Sequence, residues 1–420
     1  MMPFQNLKKA LLKGTVKVNR MKNSEKSGSS INEEIFRMCL EHGFNFFSTL
    51  PGSYNVDLIR KIQTCKEITS VPLVREESGV ALNAGAYLGG RKTAMVIQNQ
   101  GLGNMEGQLL VLNSHLEGSY KFPNLYIISH RGLEGEKIKA QKPMGKETTK
   151  ILDKPGIKQL LINDLDDLEK AERMLEEYEK GYTVALTIKP DYSKKSSPNG
   201  NELGKVARKL GGLSFPEIEV QPDMRRYDAL SIIMKKIKNE FVISNMGFSS
   251  RELYYLKDRD RNFYLTSSLG QTYMLALGLA LAIEDMEEKV VCLEGDGGLL
   301  MNLGSLTVVA DQKPKNYILI ALDNSVYGST GNIPTYTFKG VNLSALALAC
   351  GFPKSKILIA ENKNSLCEAL DYCLSEEGPF FVHTILKPGN KNVPVIPLEN
   401  SEIKERFMKS VQTARETLFN

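Results

Sequence analysis

Strand-like and helix-like segments alternate twice along this chain of 420 residues, and that double alternation limits the fold more than any other feature. In the first round, Phe44–Thr49, Val71–Val74, Thr93–Ile97, Leu125–Ser129 and Tyr182–Ile188 read as short apolar strands. Helical stretches separate them. One starts at Ser30, where Ser30 and Glu33 have capping-box spacing, and others begin near Glu77, Met105 and Asp166. Residues 190–225 break the rhythm with Ser, Lys, Asn, Gly and Pro, including Pro216 and Pro222. The alternation then restarts. Strands are expected at Phe241–Ser244, Phe263–Leu265, Val290–Leu293, Tyr317–Leu322, Ile357–Ala360 and Phe380–Ile385. Helices are expected from Tyr227 and over Tyr273–Glu284, Leu299–Ala310, Ser365–Leu374 and Glu402–Leu418. Apolar strands alternating with helices imply parallel sheets covered on both faces. The expected class is α/β, with two doubly wound parallel-sheet domains in tandem. In such sheets a ligand sits beyond the C-terminal ends of the strands.

Charge narrows the possible partners. The chain holds 54 Lys+Arg and 49 Asp+Glu. Seven of the basic residues (Lys8, Lys9, Lys13, Lys17, Arg20, Lys22 and Lys26) fall in the first 30 residues against one Glu25, so the remainder is nearly neutral. That gives no support to nucleic-acid binding by the body of the chain. The N-terminal stretch lacks the apolar region of a secretory signal and reads as a solvated basic tail. No apolar run approaches the ~18 residues of a membrane span. The six cysteines, Cys39, Cys65, Cys292, Cys350, Cys367 and Cys373, form no C-x-x-C pair and lack the spacing of zinc or iron–sulfur ligands. Reduced thiols and a cytoplasmic location are expected.

The strongest chemical signal is Glu294-Gly295-Asp296-Gly297-Gly298, between a strand and a helix, followed one strand later by Asp323-Asn324-Ser325-Val326-Tyr327. Both segments follow neighbouring strands, so Asp296 and Asn324 can converge. A carboxylate, an amide oxygen and a backbone carbonyl are hard ligands suited to Mg²⁺. Glycines 295, 297 and 298 let the backbone approach a diphosphate at a helix N-terminus. A plain strand-to-helix turn with an Asp cap is the alternative.

This pattern resembles the thiamine diphosphate (ThDP) enzymes. The resemblance implies a pyrimidine-binding (PYR) domain over 30–190 and a diphosphate-binding (PP) domain over 226–400. A basic tail (1–29), a linker (191–225) and a C-terminal helix (401–420) would flank them. It assigns Mg²⁺ to the side chains of Asp296 and Asn324 and the carbonyl of Val326, with Tyr327 beside the cofactor. Glu77, opening the small-residue stretch Ser78–Tyr87, corresponds to the family's glutamate facing the aminopyrimidine; adjacent Glu76 is the alternative. A carboxylic acid buried there has a raised pKa and can exchange a proton with a ring nitrogen. Ser267-Ser268-Leu269-Gly270 resembles the segment under the bent cofactor, with Leu269 as the apolar wedge and the Ser267 carbonyl as an acceptor. Asn245 and Gly247 resemble the first diphosphate-contacting turn, though Asn245 is equally readable as a turn residue.

Within that group the order of domains, the short linker and three segments are similar to the sulfopyruvate decarboxylases. The segments are Gln98–Asn104, Ser129–Gly145 and Ser249–Tyr254. The resemblance implies a fusion of two subunits that decarboxylates 3-sulfopyruvate to sulfoacetaldehyde, a step toward coenzyme M. It also implies a homodimer or homotetramer with sites between chains. Ser53, Gln100, His130 and Arg131 are candidate substrate residues, the last because its forked donors match tetrahedral oxyanions. His130 and Arg131 are also readable as a solvated turn. His42, His115 and His383 read as structural. A phosphonopyruvate decarboxylase would differ only in the anion pocket. A non-catalytic ThDP-binding assembly protein would lack Glu77 or the metal ligands.

Overall fold

The computed structural model describes residues 30–193 and 220–417. The basic tail and most of the linker read from the sequence lie outside the described residues.

The first domain begins with α1 (Ile31–Glu41), closed by the expected capping box. Ser30 Oγ accepts from Glu33 N at 3.3 Å and Glu33 Oε2 accepts from Ser30 N at 2.8 Å. Then follow β1 (Phe46–Thr49), α2 (Val56–Thr64), β2 (Thr69–Pro72), α3 (Glu76–Leu88), β3 (Thr93–Gln98) and α4 (Leu102–Gln108). The domain ends with β4 (Leu125–Ser129), α5 (Lys142–Asp153), β5 (Lys158–Ile162), α6 (Leu168–Glu179) and β6 (Val184–Ile188). Its sheet is parallel throughout, in the order β2-β1-β3-β4-β6-β5.

The second domain runs α7 (Arg226–Lys236), β7 (Phe241–Ser244), α8 (Phe248–Lys257), β8 (Asn262–Tyr264), α9 (Thr272–Ala282), β9 (Val290–Gly295), α10 (Asp296–Met301), α11 (Leu306–Gln312) and β10 (Tyr317–Asp323). A hairpin of β11 (Val326–Tyr327) and β12 (Ile333–Pro334) follows. Then come α12 (Leu343–Ala349), β13 (Ile357–Ala360), α13 (Lys363–Ser375), β14 (Phe380–Ile385) and α14 (Asn400–Thr417). Its parallel sheet reads β8-β7-β9-β10-β14-β13. Counting its six sheet strands by appearance, this is the same order as in the first domain. In each domain the chain turns back after its first strand, so a crevice opens between the C-terminal ends of β1 and β3, and again between β7 and β9.

Three departures from the sequence reading have local causes. β5 escapes notice because it is an edge strand headed by Lys158 and Gln159, with most side chains half-buried. The helix expected over Leu299–Ala310 is broken at Asn302 into α10, a 3₁₀ turn at Leu303–Ser305, and α11. Asn302 Nδ2 donates to Ser78 Oγ (2.9 Å) across the domain boundary and to the Gly270 carbonyl (3.0 Å) within its own domain. The helix begun at Leu102 ends at Gln108 and passes into one π turn, Leu109–Asn113.

The two domains share one apolar core that runs from Phe46 and Val80 through Leu275 to Ile320. At its centre α3 crosses α9. A Cβ on Gly85 would be driven into the Leu275 carbonyl, and one on Gly278 into the Leu82 carbonyl. Ser78 Oγ lies 2.8 Å from Ser305 Oγ, and Tyr120 Oη donates to the Tyr264 carbonyl at 2.6 Å. Among the described residues no helix is long and apolar enough to cross a membrane.

The crossing yields a paired test. Gly85→Val should cost about 3 kcal/mol or more, because two helix backbones must separate. Gly107→Ala, on α4 with open space around the added carbon, should gain about 0.5–1 kcal/mol. Denaturant midpoints of both variants check this; a Gly85→Val chain as stable as the parent would contradict the packing.

Candidate active site

The crevice of the second domain gathers most of the residues singled out from the sequence. β7 delivers Asn245 and Gly247. Asn245 Oδ1 accepts from Met246 N at 2.7 Å, and its Nδ2 would lie 3.3 Å from a Cβ on Gly295. Gly247 has φ +78° and turns the chain into α8. β9 delivers Gly295 and then Asp296, the first residue of α10. A side chain on Gly297 would overlap the ring of Tyr327, and one on Gly298 would overlap the carboxyl of Glu294. These glycines are therefore required by the neighbours as well as by any diphosphate.

β10 ends at Asp323, and the chain bends through Ser325 in the left-handed region, φ +60°. That bend brings Asn324 against Val326 and Asp296. The amide atom of Asn324 that faces them lies 3.3 Å from Asp296 Oδ1 and 2.9 Å from the Val326 carbonyl oxygen, and it is placed as oxygen. Three acceptors facing one another repel. Turning the amide would supply two hydrogen bonds; a cation would attract all three oxygens, and these are the hard donors Mg²⁺ takes. The residues thus fit a divalent cation.

The surroundings of Asp296 also favour a positive charge. Burial first, and the neighbouring charge of Asp323 second, push its carboxyl up to about 6, against hydroxyls of Thr335 (2.5 Å) and Thr337 (3.2 Å) that lower it. Glu294 is fully buried, and burial pushes it up to about 8; Oε1 accepts from Gly295 N at 2.9 Å while Oε2 has no partner. At neutral pH it is held mostly protonated, so one carboxyl beside the site is neutral.

The wall facing the first domain is the turn Ser267–Gly270. Ser267 and Leu269 are half-buried. Ser268 and Gly270 both have left-handed φ, +66° and +80°. Gly270 packs under α10, where a Cβ would meet the Gly298 carbonyl at 3.0 Å. Gln271 follows, its buried amide nitrogen without a hydrogen-bond partner, and its side chain lies beside Glu77, the second residue of α3. Burial raises the Glu77 carboxyl above the usual range, while Arg75, whose Nε lies 2.9 Å from Oε1, and Gln271 oppose that rise. Residues Ser78 to Ala86 after it are all buried. Glu76 has a different environment: it accepts from Asn104 Nδ2 at 2.9 Å and packs where Gly101 has no side chain.

The first domain's crevice holds the four candidate substrate residues at the ends of β1, β3 and β4. Ser53 and Gln100 are exposed. His130 and Arg131 are buried, not part of a solvated turn. Arg131 is committed elsewhere: Nε and Nη2 bind Glu136 Oε2 and Oε1 at 2.9 and 2.8 Å, and the guanidinium lies 5.3 Å from the centre of the Tyr54 ring. His130 Nε2 sits 3.0 Å from the Gly145 carbonyl, so the hydrogen belongs there and Nδ1 is left without a partner. Burial lowers its pKa, favouring neutral imidazole. Neither residue, as placed, offers a free cationic fork. Glu294, Gln271, Thr335 and Thr337 were not picked out from the sequence. Glu294 adjoins the glycine motif and was visible there, whereas the other three become relevant only through contacts distant in sequence.

Residues 246–384 match the model of the thiamine pyrophosphate enzyme C-terminal TPP binding domain. The chain is 32% identical to a sulfopyruvate decarboxylase of Methanosarcina acetivorans, over 91% of this chain and 98% of that one. Its identity to a phosphonopyruvate decarboxylase of Streptomyces viridochromogenes is 30%, over 88% and 92%. A sulfopyruvate decarboxylase subunit beta of Methanothermobacter thermautotrophicus is 42% identical over 46% of this chain and 98% of its own length. A solved benzoylformate decarboxylase of Polynucleobacter necessarius shares the fold, with TM-score 0.61 at 15% identity over 86% and 99%. The chain belongs to the sulfopyruvate decarboxylase family of ThDP enzymes, with both subunit-like halves in one polypeptide.

Proposed function

We propose that this protein decarboxylates 3-sulfopyruvate to sulfoacetaldehyde and CO₂ with ThDP and Mg²⁺. The observation that carries the reading is the full-length likeness to a sulfopyruvate decarboxylase. Both expected carboxyl roles have a matching residue: a protonatable Glu77 and a cation-collecting Asp296. A phosphonopyruvate decarboxylase is the second reading, favoured by the relative at 30% identity. Assaying sulfopyruvate, phosphonopyruvate and pyruvate side by side separates them, and preference for phosphonopyruvate would overturn the first.

Bound ThDP supplies a carbon nucleophile and an electron sink for the carboxylate's departure. Asp296, Asn324 and the Val326 carbonyl would hold Mg²⁺, while Asn245, Gly247 and the glycines at 295, 297 and 298 leave room for the diphosphate. Leu269 would support the cofactor's rings, and the Ser267 carbonyl would accept a hydrogen bond from its amino group. Glu77 would hold and release a proton at the pyrimidine nitrogen, a task suited to a carboxyl whose pKa burial has raised. Ser53 and Gln100 supply neutral donors to the sulfonate. The His130 and Arg131 segment shapes that pocket from beneath.

A second copy of the chain covers the rim of the site, in at least a homodimer. Ile333, Tyr336 and Phe338 are 59%, 63% and 66% exposed. Tyr336 and Phe338 alternate with Thr335 and Thr337, whose hydroxyls reach Asp296. The metal side of the site thus carries an apolar rim that one chain leaves uncovered.

Glu77→Gln should retain ThDP and Mg²⁺ while kcat falls roughly 10²–10⁴-fold, the range for removing a positioned acid–base group; Glu76→Gln should lose far less. Asp296→Ala should fail to retain ThDP even in excess Mg²⁺, measured by equilibrium dialysis, and normal retention would place the metal elsewhere. Mixing and refolding Glu77→Gln chains with Asp296→Ala chains should restore no activity if Glu77 works beside the Ser267–Gly270 turn of its own chain, where the fold places it; about a quarter of parental activity would return if random dimers drew Glu77 and Asp296 from different chains. No recovery would mean that each chain completes its own site.

A further inference from the structure

The cofactor reading leaves one buried carboxylate and one buried histidine without a task. Asp323, adjacent to Asn324, is 4% exposed and accepts from four groups. On Oδ1 these are Ser325 N at 3.0 Å, Ser325 Oγ at 3.2 Å and Thr337 Oγ1 at 2.8 Å; on Oδ2 it is His383 Nε2 at 2.9 Å. His383 comes from β14, where it pairs with Ala321 on β10. Its other nitrogen, Nδ1, lies 3.0 Å from Ser344 Oγ on α12. Thr337 closes the chain at the far end, 3.2 Å from Asp296 Oδ2, beside Thr335.

The hydrogens can be assigned along this chain. An ionised carboxylate only accepts, so His383 carries its hydrogen on Nε2 and its Nδ1 accepts from Ser344. The Thr337 hydrogen is shared between Asp323 Oδ1 (2.8 Å) and Asp296 Oδ2 (3.2 Å), the stronger share going to Asp323, and Thr335 serves Asp296. Ser344, His383 and Asp323 are the residue types of a hydrolytic triad, but there Nε2 faces the serine and Nδ1 the aspartate, the reverse of this arrangement. Ser344 is also fully buried, so no substrate reaches it. The chain holds parts in place instead. It ties β14 and α12 to the end of β10, where Asn324 and Val326 emerge, and through Thr337 to Asp296.

We infer that His383 is a positioning residue for the divalent-cation site, acting through Asp323 and Thr337 on the geometry of Asp296 and Asn324. The inference rests on the cofactor reading. Partners one step removed from a ligand typically change metal affinity 10–100-fold when removed, and His383 stands one step further back, with Asp323 between.

The test is calorimetric titration of the metal-free protein with Mg²⁺ at fixed ThDP, alongside its thermal melt without either. His383→Leu should weaken Mg²⁺ binding by up to about 10-fold, the low end of the range for a direct partner of a ligand, with full ThDP stoichiometry recovered at high Mg²⁺. His383→Gln, whose amide can replace Nε2–H, should recover most of the loss. Thr337→Val should weaken Mg²⁺ in the same direction and Thr337→Ser should not. Should His383→Leu not fold, the Thr337 pair decides. Unchanged Mg²⁺ affinity in His383→Leu and Thr337→Val, or a lowered melt without any change in Mg²⁺ affinity, overturns the inference. If the parent itself binds ThDP without regard to Mg²⁺, the cofactor reading fails, and that result is distinct from failure of the variants.

Discussion

The crossing of α3 and α9 at Gly85 and Gly278 sets the geometry of everything else. Each helix lies where a Cβ on the other would strike a carbonyl, so the separation of the two backbones is set by the absence of two side chains. α3 begins beside Glu77, and α9 begins just after the Ser267–Gly270 turn. The same contact therefore fixes Glu77 against the Ser267–Gly270 turn. Asn302 and Ser78 lock that end of the crossing with hydrogen bonds, and the broken helix at Asn302 is the consequence. Helix regularity yields locally to the fit between domains.

The second constraint is electrostatic. Glu294, Asp296 and Asp323 are all buried near one strand end, and no basic side chain forms an ion pair with Glu294 or Asp296 among the described residues. Hydroxyls and backbone N–H groups are the main donors, with His383 on Asp323. Glu294 meets this by holding its proton; Asp296 and Asp323 share the hydroxyls of Thr335 and Thr337. A buried carboxylate with only neutral donors is costly unless a cation arrives, and the facing oxygens of Asp296, Asn324 and Val326 mark where it would sit. The matching strand orders of the two domains put both crevices at equivalent positions. Only the second carries this set of oxygens, while the first carries Glu77 at the start of a helix buried on every side.

Much of this was legible in the residues. The strands Leu125–Ser129, Phe241–Ser244, Ile357–Ala360 and Phe380–Ile385 fall where their apolar runs place them. The glycine motif and Asp323-Asn324 share a crevice because both follow adjacent parallel strands, an inference that needs only alternation and order. That Glu77 opens a closely packed helix was legible from the small residues behind it. Arg131 was not: its residue type suggests an anion clamp, but Glu136, five positions on, folds back to take the guanidinium. His383 in a strand gave no sign of its partners, since Asp323 and Ser344 reach it from a neighbouring strand and a separate helix.

What the sequence by itself determined was the alternation, the restart after the linker and the chemistry of short motifs, because these depend on residues close in the chain. What only the tertiary structure decided was which polar groups are spent on one another. Arg131 on Glu136, Thr337 between two aspartates and His383 on Asp323 depend on which strand ends, helices and loops come to lie side by side. Burial then removes water as a competing partner, so each of these groups must bond to whatever the fold has placed within reach.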